Sequence, residues 1–280
     1  MLVELAVGDA YGAGFEYVSP ELVRARNDLS GYHAHPRHAI APGHYTDDTQ
    51  MSLAVAEALV DGGAWTPLAL ASKFVEVFRR DPREGYASGF HGFLSRVTSG
   101  EQFLAEIRAG SDKSGAAMRA CPVGVLPDLA EVLERTRVQA AITHDTPDGI
   151  GAACAAALMP HYFLYRLGPR ADLGRFLTAH VPGDWASPWH GKVGAAGWMS
   201  VRAAITALQD AESLADLLHR CVAFTGDVDT VATIALAAGS CAEDLPADLP
   251  DALLAGLESG PFGRPYLAAQ DARLRSLISR

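Results

Sequence analysis

The chain has 280 residues, 49% hydrophobic, 20% charged and 8% aromatic, with 27 glycines, 16 prolines and four cysteines. That length and apolar content can bury a substantial core, and they exclude a disordered chain, a collagen-like repeat and a small disulfide-stapled scaffold. Twenty-three Lys plus Arg against 33 Asp plus Glu give a net charge of −10, so no global field attracts a phosphate backbone and nonspecific nucleic-acid binding is not expected.

Roughly one residue in six is Ala, the strongest helix former, and helix signals recur along the chain. The first segment, MLVELAVGDAYG, lacks a basic n-region and carries Glu4 and Asp9, unlike a signal peptide. A Gly-rich stretch from Gly8 to Phe15 leads to Glu16. Ser19-Pro20, Thr66-Pro67 and Thr146-Pro147 each set a capping hydroxyl before a proline at a first helical position. Helices are predicted across 48–61, after Thr66 with Leu70, Phe74, Val77 and Phe78 on one face, and after Pro127 with Leu129, Val132, Leu133 and Ala140. The run Ile150 to Met159 is short, mostly Gly and Ala, and expected to stop at Pro160, which falls short of a membrane span. Further helices are predicted across 193–208, 213–223, 229–239 and 265–278.

Alternating strand patterns of useful length are absent, and loops rich in Gly, Pro and His fall at 31–45, 81–85, 109–114, 182–192 and 242–250. Cys121, Cys154, Cys221 and Cys241 show no C-x-x-C spacing and read as small buried residues in a reducing compartment. No linker or repeat divides the chain. The expected architecture is all-α, one compact domain over 1–280, soluble and cytoplasmic, with function on a face of converging loops.

Two acidic helix starts stand out. Tyr45-Thr46-Asp47-Asp48-Thr49 opens one apolar helix, and Gly226-Asp227-Val228-Asp229-Thr230 opens another. A Thr cap with one Asp in the first turn is ordinary helix chemistry, but these clusters hold more carboxylates than a cap uses. If the two starts face one another, four like charges crowd one volume and require cations or large pKa shifts. An all-oxygen set of Asp and Thr suits Mg²⁺, Mn²⁺ or Ca²⁺ rather than zinc. Asp9 is expected to bond the backbone of a neighbouring loop, and Glu16 reads either as a solvated loop residue or as a third acid of the site.

These clusters, in this order, resemble the ADP-ribosylglycohydrolase family. The matching segments are GDAYGAGFE (8–16), YTDDTQM (45–51), SGAAMRACPVG (114–124), THDTPDGIGAACAAAL (143–158), GDVDTVATIALA (226–237) and GPFGRPYLAAQDARL (260–274), which together run over nearly the whole chain. The resemblance implies a compact all-α fold with a binuclear Mg²⁺ or Mn²⁺ cleft, cytoplasmic, and hydrolysis at C1″ of ADP-ribose conjugates. It implies Thr46, Asp47, Asp48, Asp227, Asp229 and Thr230 as the holders of two divalent cations, with Asp229 bridging. Asp48 and Glu16 take the catalytic roles. The segment around Ser114, Gly115 and Ala116 would cradle a diphosphate through backbone N–H groups, with His144 touching ADP-ribose.

This chain has Ser114 where many members have Asn, and Thr225 where the second motif usually has Gly. Arg119 reads equally as an ion-pair partner and as a phosphate ligand, and Arg79, Arg80 and Arg83 read as a solvated basic loop. The competing readings are a catalytically silent ADP-ribose-binding or crystallin-like relative, and another all-α metal-dependent enzyme. An HD-type phosphohydrolase would need His ligands from several helices. A prenyl-transfer enzyme would need Asp-Asp-x-x-Asp, whereas Asp48 is followed by Thr49, Gln50 and Met51.

Overall fold

The computed structural model describes residues 1–278. The chain runs through α1 (Leu2–Ala13), α2 (Pro20–Arg26), α3 (Asp47–Val60), α4 (Pro67–Arg80), α5 (Ser88–Arg96), α6 (Gly100–Glu106), α7 (Gly115–Met118) and α8 (Leu129–Ala141). It continues through α9 (Pro147–Leu164), α10 (Leu173–His180), α11 (Gly197–Asp210), α12 (Leu214–Ala223), α13 (Val228–Gly239), α14 (Asp251–Gly256) and α15 (Arg264–Arg275). Among the described residues strand pairing is limited to three isolated bridges, Gly110 with His144, Lys113 with Ala196 and Val193 with Gly226. No helix among them is long and apolar enough to cross a membrane.

The hydroxyl-proline starts behave as their chemistry predicts. Ser19, Thr66 and Thr146 accept hydrogen bonds from the N–H groups of Leu22, Ala69 and Gly149, and each following Pro begins its helix. α4 buries Leu70, Phe74, Val77 and Phe78, and α8 buries Val132, Leu133 and Ala140. Each such side chain removed from water contributes about 1.5–3 kcal/mol. The buried apolar residues form one connected cluster from Met1 to Leu274. Cys121, Cys154 and Cys221 are buried in it as expected, but Cys241 is only half-buried.

Four features depart from the sequence reading. First, α1 is a helix that the sequence reading did not predict: it takes in Gly8 to Ala13 of the Gly-rich stretch and is buried from Leu5 to Ala13. Gly8 and Gly12 lie one turn apart where α13 crosses. A Cβ on Gly8 would stand 2.6 Å from the Ala232 carbonyl oxygen, and one on Gly12 2.5 Å from Asp229 Cα. Two glycines therefore let the backbones touch, and that contact seats Asp229.

Second, α9 does not stop at Pro160 but continues to Leu164. Proline removes the N–H that would bond the carbonyl of Ala156. That oxygen instead lies 3.6 Å from the Cys121 thiol, which donates to it. Third, residues 193–196 are extended rather than helical, because Val193 pairs with Gly226 and Ala196 with Lys113. Fourth, the last helix ends at Arg275, short of 278.

The α1–α13 contact yields a test by substitution. Gly12→Ala is expected to destabilise by about 2 kcal/mol in urea unfolding, because the added methyl meets backbone that cannot give way. Gly151→Ala, in the buried length of α9, would meet nothing closer than 3.5 Å. It should stabilise by up to about 1 kcal/mol. Equal effects at the two positions would contradict the contact.

Candidate active site

The first acidic cluster is held from beneath by Asp9. Thr46 N–H and Thr49 N–H donate to Asp9 Oδ2, both at 2.9 Å. The Thr46 hydroxyl donates to Oδ1 at 2.7 Å and the Thr49 hydroxyl to Oδ2 at 2.6 Å. Asp9 is fully buried, which pushes its pKa up, while these four donors pull it back. Thr46 also caps α3 by accepting from Asp48 N–H at 3.3 Å. One carboxylate thus fixes the start of α3 and aims Asp47 and Asp48 into a cleft. Gly85, at φ +107°, backs this corner, and a Cβ there would collide with Asp47 and Thr46.

The second cluster opens α13. Asp227 is its N-terminal flanking residue and Asp229 lies in its first turn. The Ser200 hydroxyl donates to Asp227 at 3.4 Å, and Ser114 and Ser200 offset part of the rise that burial gives its pKa. Thr225, ahead of them, adopts φ +63°, so the backbone keeps the left-handed turn a glycine would favour despite the side chain. Tyr17 N–H donates to the Gly226 carbonyl at 2.8 Å, which brings the end of α1 and Glu16 alongside.

Glu16, Asp227 and Asp229 each offer a carboxylate oxygen, all within 4.8 Å of one another. Glu16 is not a solvated loop residue. His35 Nε2 lies 2.8 Å from its carboxylate and Arg37 2.6 Å. His35 Nδ1 accepts from the N–H groups of Arg37 and His38, so its proton sits on Nε2 and is donated to Glu16.

The electrostatics set Glu16 apart from the aspartates. Burial pushes the Asp48 carboxyl well above the usual range, and Asp9, Asp47 and Asp227 push it further, while Thr230 offsets part of the rise. Burial also raises Asp229 strongly, with Glu16, Asp227 and Asp48 adding to it. Burial, followed by Glu16, raises Asp227 to about 7. Asp47, half-buried at the mouth, is raised by desolvation and then by Asp9. Burial raises Glu16 too, but hydrogen bonds from His35 and Arg37 outweigh it and hold its carboxyl low.

Asp48 Oδ1 and Asp229 Oδ1 are buried without a hydrogen-bond partner among the described residues. Buried carboxylate oxygens of that kind are costly unless something cationic meets them. An all-oxygen donor set with excess negative charge has the chemistry of a hard divalent cation site.

The cleft has a volume of about 1070 Å³, the upper end of small-molecule sites. Glu16, Asp47, Asp48, Asp227, Asp229 and Thr230 line one end, and Ser114, Gly115 and His144 line its wall. Two expected site residues are placed otherwise. Thr46 is wholly buried with its hydroxyl on Asp9, and Ala116 lies buried behind the cleft surface.

Arg119 is neither an ion-pair partner nor a free phosphate ligand. Its guanidinium is bonded to Gln139 and Thr143 and stacks over Phe74. Of the three basic residues read as solvated, Arg79 is exposed as expected, and the other two are not solvated. Arg80 pairs with Glu57, and Arg83 with Asp81 and Glu258. Sequence reasoning missed Tyr86, Phe90 and Phe93, an aromatic group in the cleft lining that begins beside the acidic corner at Gly85. The spacing of Phe90 and Phe93 is a helical i, i+3 signal within α5 that could have been read.

The family model described as ADP-ribosylglycohydrolase matches residues 1–278. The chain belongs to the ADP-ribosylglycohydrolase family. It is similar to ADP-ribosylhydrolase ARH3 of Xenopus tropicalis, 29% identical over 145 residues, 48% of this chain and 41% of that protein. It is also similar to the ADP-ribosyl-(dinitrogen reductase) glycohydrolase of Rhodospirillum rubrum, 27% identical over 175 residues, 60% of this chain and 58% of that protein. The chain therefore spans about half the length of the curated relatives it matches. A solved structure titled ADP-ribosylglycohydrolase-related protein complex superposes with a TM-score of 0.77 at 22% identity, over 99% of this chain and 96% of that one. That likeness establishes the shared all-α fold. Both acidic helix starts, Glu16 and the wall with His144 fall inside the family match.

Proposed function

We propose that this family member is a divalent-cation-dependent hydrolase that cleaves the C1″ bond of an ADP-ribose conjugate and releases ADP-ribose. The observation that carries the proposal is the pair of unpartnered buried oxygens, Asp48 Oδ1 and Asp229 Oδ1, contributed by two helix starts to one cleft. Asp47, Asp48, Asp227 and Asp229 with Thr230 would hold two ions, Mg²⁺ or Mn²⁺, and Glu16 would reach the same centre. Thr46 supports the set through Asp9 and the α3 start. Bound cations would offset the carboxylate charge and hold the ribose hydroxyls and a water.

This chain's own groups do the remaining work. Asp48 orients the attacking water and accepts its proton. Glu16, fixed by His35 and Arg37, stays ionised beside Asp227 and Asp229. Negative charge there favours the oxocarbenium character that develops at C1″ as the bond to the acceptor breaks. Gly115 and Ala116 supply the first backbone N–H groups of α7, which have no carbonyl of their own helix to bond. With Ser114 and His144, which share the cleft lining with Gly115, the Gly115 N–H would bind the diphosphate, and Ala116 would act through its backbone alone. The donor cluster contains no His or Cys among the described residues, which favours oxygen-ligand chemistry over an HD-type phosphohydrolase.

The test is release of ADP-ribose from a panel of conjugates (arginine-, serine- and O-acetyl-linked, and poly-ADP-ribose) in Mg²⁺, Mn²⁺ or EDTA. Turnover of at least one conjugate, lost in EDTA, is expected. Metal at a hundred times its Kd should also stabilise the fold by about 2.7 kcal/mol. Full activity in EDTA would remove the metal reading. Binding of ADP-ribose without turnover of any conjugate would favour the silent-reader alternative.

A further inference from the structure

In the cleft wall, with almost no exposed surface, lies a chain of polar groups that the proposed chemistry does not use. Arg119 is 1% exposed and its guanidinium contacts three neutral oxygens. Nε donates to Gln139 Oε1 at 2.6 Å, and one terminal nitrogen donates to the Gln139 carbonyl and the Thr143 hydroxyl, each at 2.8 Å. Gln139 in turn donates to the Ala116 carbonyl at 3.1 Å, which ties α8 to α7. Thr143 Oγ1 then lies 2.7 Å from His144 Nδ1.

Proton counting along this chain has one economical solution. A guanidinium has donors and no acceptor, so the Thr143 oxygen accepts from Arg119. The single hydroxyl proton of Thr143 then has His144 Nδ1 as its acceptor. Were Nδ1 protonated instead, that hydroxyl proton would have no acceptor among the described residues, and a buried donor would be left unpaired. The Arg119 charge polarises the hydroxyl toward donation. It also opposes a second proton on the ring, as does burial, which lowers the His144 pKa to about 3.

The ring edge that remains is directed past the start of α7. A Cβ on Gly115 would stand 3.0 Å from His144 Cε1 and 3.3 Å from Nε2, and one on Gly149 would stand 2.8 Å from His144 Cβ. Both neighbours are glycines, and the ring lies in the gap they leave.

We infer that Arg119, Gln139 and Thr143 are positioning residues that lock His144 as the neutral Nε2–H tautomer, so that the cleft wall offers an uncharged donor to an anionic ligand oxygen beside Gly115. The relay rests on the proposed function only in naming that oxygen as part of the ADP-ribose diphosphate. A neutral donor holds a diphosphate oxygen without an ion pair, so its contribution is insensitive to pH across the neutral range.

Two measurements test it, nitrogen-15 NMR of the histidine side chains and calorimetric binding of ADP-ribose in Mg²⁺. The wild-type His144 signal, assigned by its loss in His144→Gln, should show a pyridine-like Nδ1 and a pyrrole-like Nε2, unchanged between pH 5 and pH 8. Thr143→Val should mix the tautomers and weaken ADP-ribose binding about tenfold, the worth of one well-placed hydrogen bond. Thr143→Ser should restore both. A pyrrole-like Nδ1 in the wild type would overturn the inference, and that reading needs no variant to fold. Unchanged tautomer and affinity in a folded Thr143→Val would also overturn it. If the tautomer is as expected but the wild type binds no ADP-ribose, the relay stands and the proposed function fails.

Discussion

Asp229→Asn is expected to cut turnover of any responsive conjugate about a thousandfold, the equivalent of the several kcal/mol that a catalytic metal site supplies. Asp48→Asn should do the same, since its Oδ1 is the matching orphan on the facing helix. The same variants should have the opposite effect on the metal-free fold. Burial raises the folded-state pKa of Asp48, Asp227 and Asp229. The folded chain therefore keeps protons that the unfolded chain releases above about pH 4. The stability these groups contribute is full below the unfolded pKa and is lost as pH rises toward the folded values, about 7 for Asp227.

In EDTA the wild type should accordingly lose stability between pH 4 and pH 7, and Asp229→Asn should melt higher than wild type at pH 8. Saturating Mg²⁺ should remove the wild-type loss and leave Asp229→Asn unmoved. Thermal melts over pH with and without metal read all of this. A metal-induced rise in Tm that survives in Asp229→Asn would place the cation elsewhere.

The second large effect is on the support of the site. Asp9→Ala is expected to destabilise by about 4 kcal/mol, because two backbone N–H groups and two hydroxyls lose their acceptor in a fully buried position. Asp9→Asn keeps the shape and one acceptor oxygen, so about half of that loss is expected. Activity should fall in both, because Asp47 and Asp48 are aimed by the α3 start that Asp9 holds. Urea unfolding followed by circular dichroism gives the stability, and ADP-ribose release gives the activity. An Asp9→Ala protein as stable as wild type would show that Thr46 and Thr49 find other partners.

Much of this arrangement is legible one segment at a time. Thr66-Pro67 and Thr146-Pro147 announce α4 and α9 because capping and the fixed φ of proline act within a single turn. The face of α4 is legible because burial of Phe74 and Phe78 repeats at the helical period. The acidic helix starts are legible because each carries two carboxylates, more than a cap requires. What failed were readings that depended on neighbours. α1 went unpredicted because Gly8 and Gly12 are poor helix formers, and only the crossing of α13 turns them into a packing surface. Pro160 ended a helix on local grounds, and Cys121 from another segment relieves the carbonyl it frees. Arg83 read as solvated because Glu258 lies 175 residues away in the chain.

By itself, then, the sequence determined the all-α class, the helix starts, the family resemblance and which acids to suspect, since these depend on contacts within a few residues or on motif order. The tertiary structure alone decided that the two acidic starts share a cleft and that Glu16, rather than Asp47, sits closest to Asp227 and Asp229. It also decided that the Arg119 guanidinium, buried at the cleft lining, is spent on Gln139 and on the Thr143 hydroxyl that meets His144. The reason is the same in each case. A carboxylate's partners and its desolvation are set by elements far away in the chain, and only folding brings those within the few ångströms over which hydrogen bonds and buried charges act.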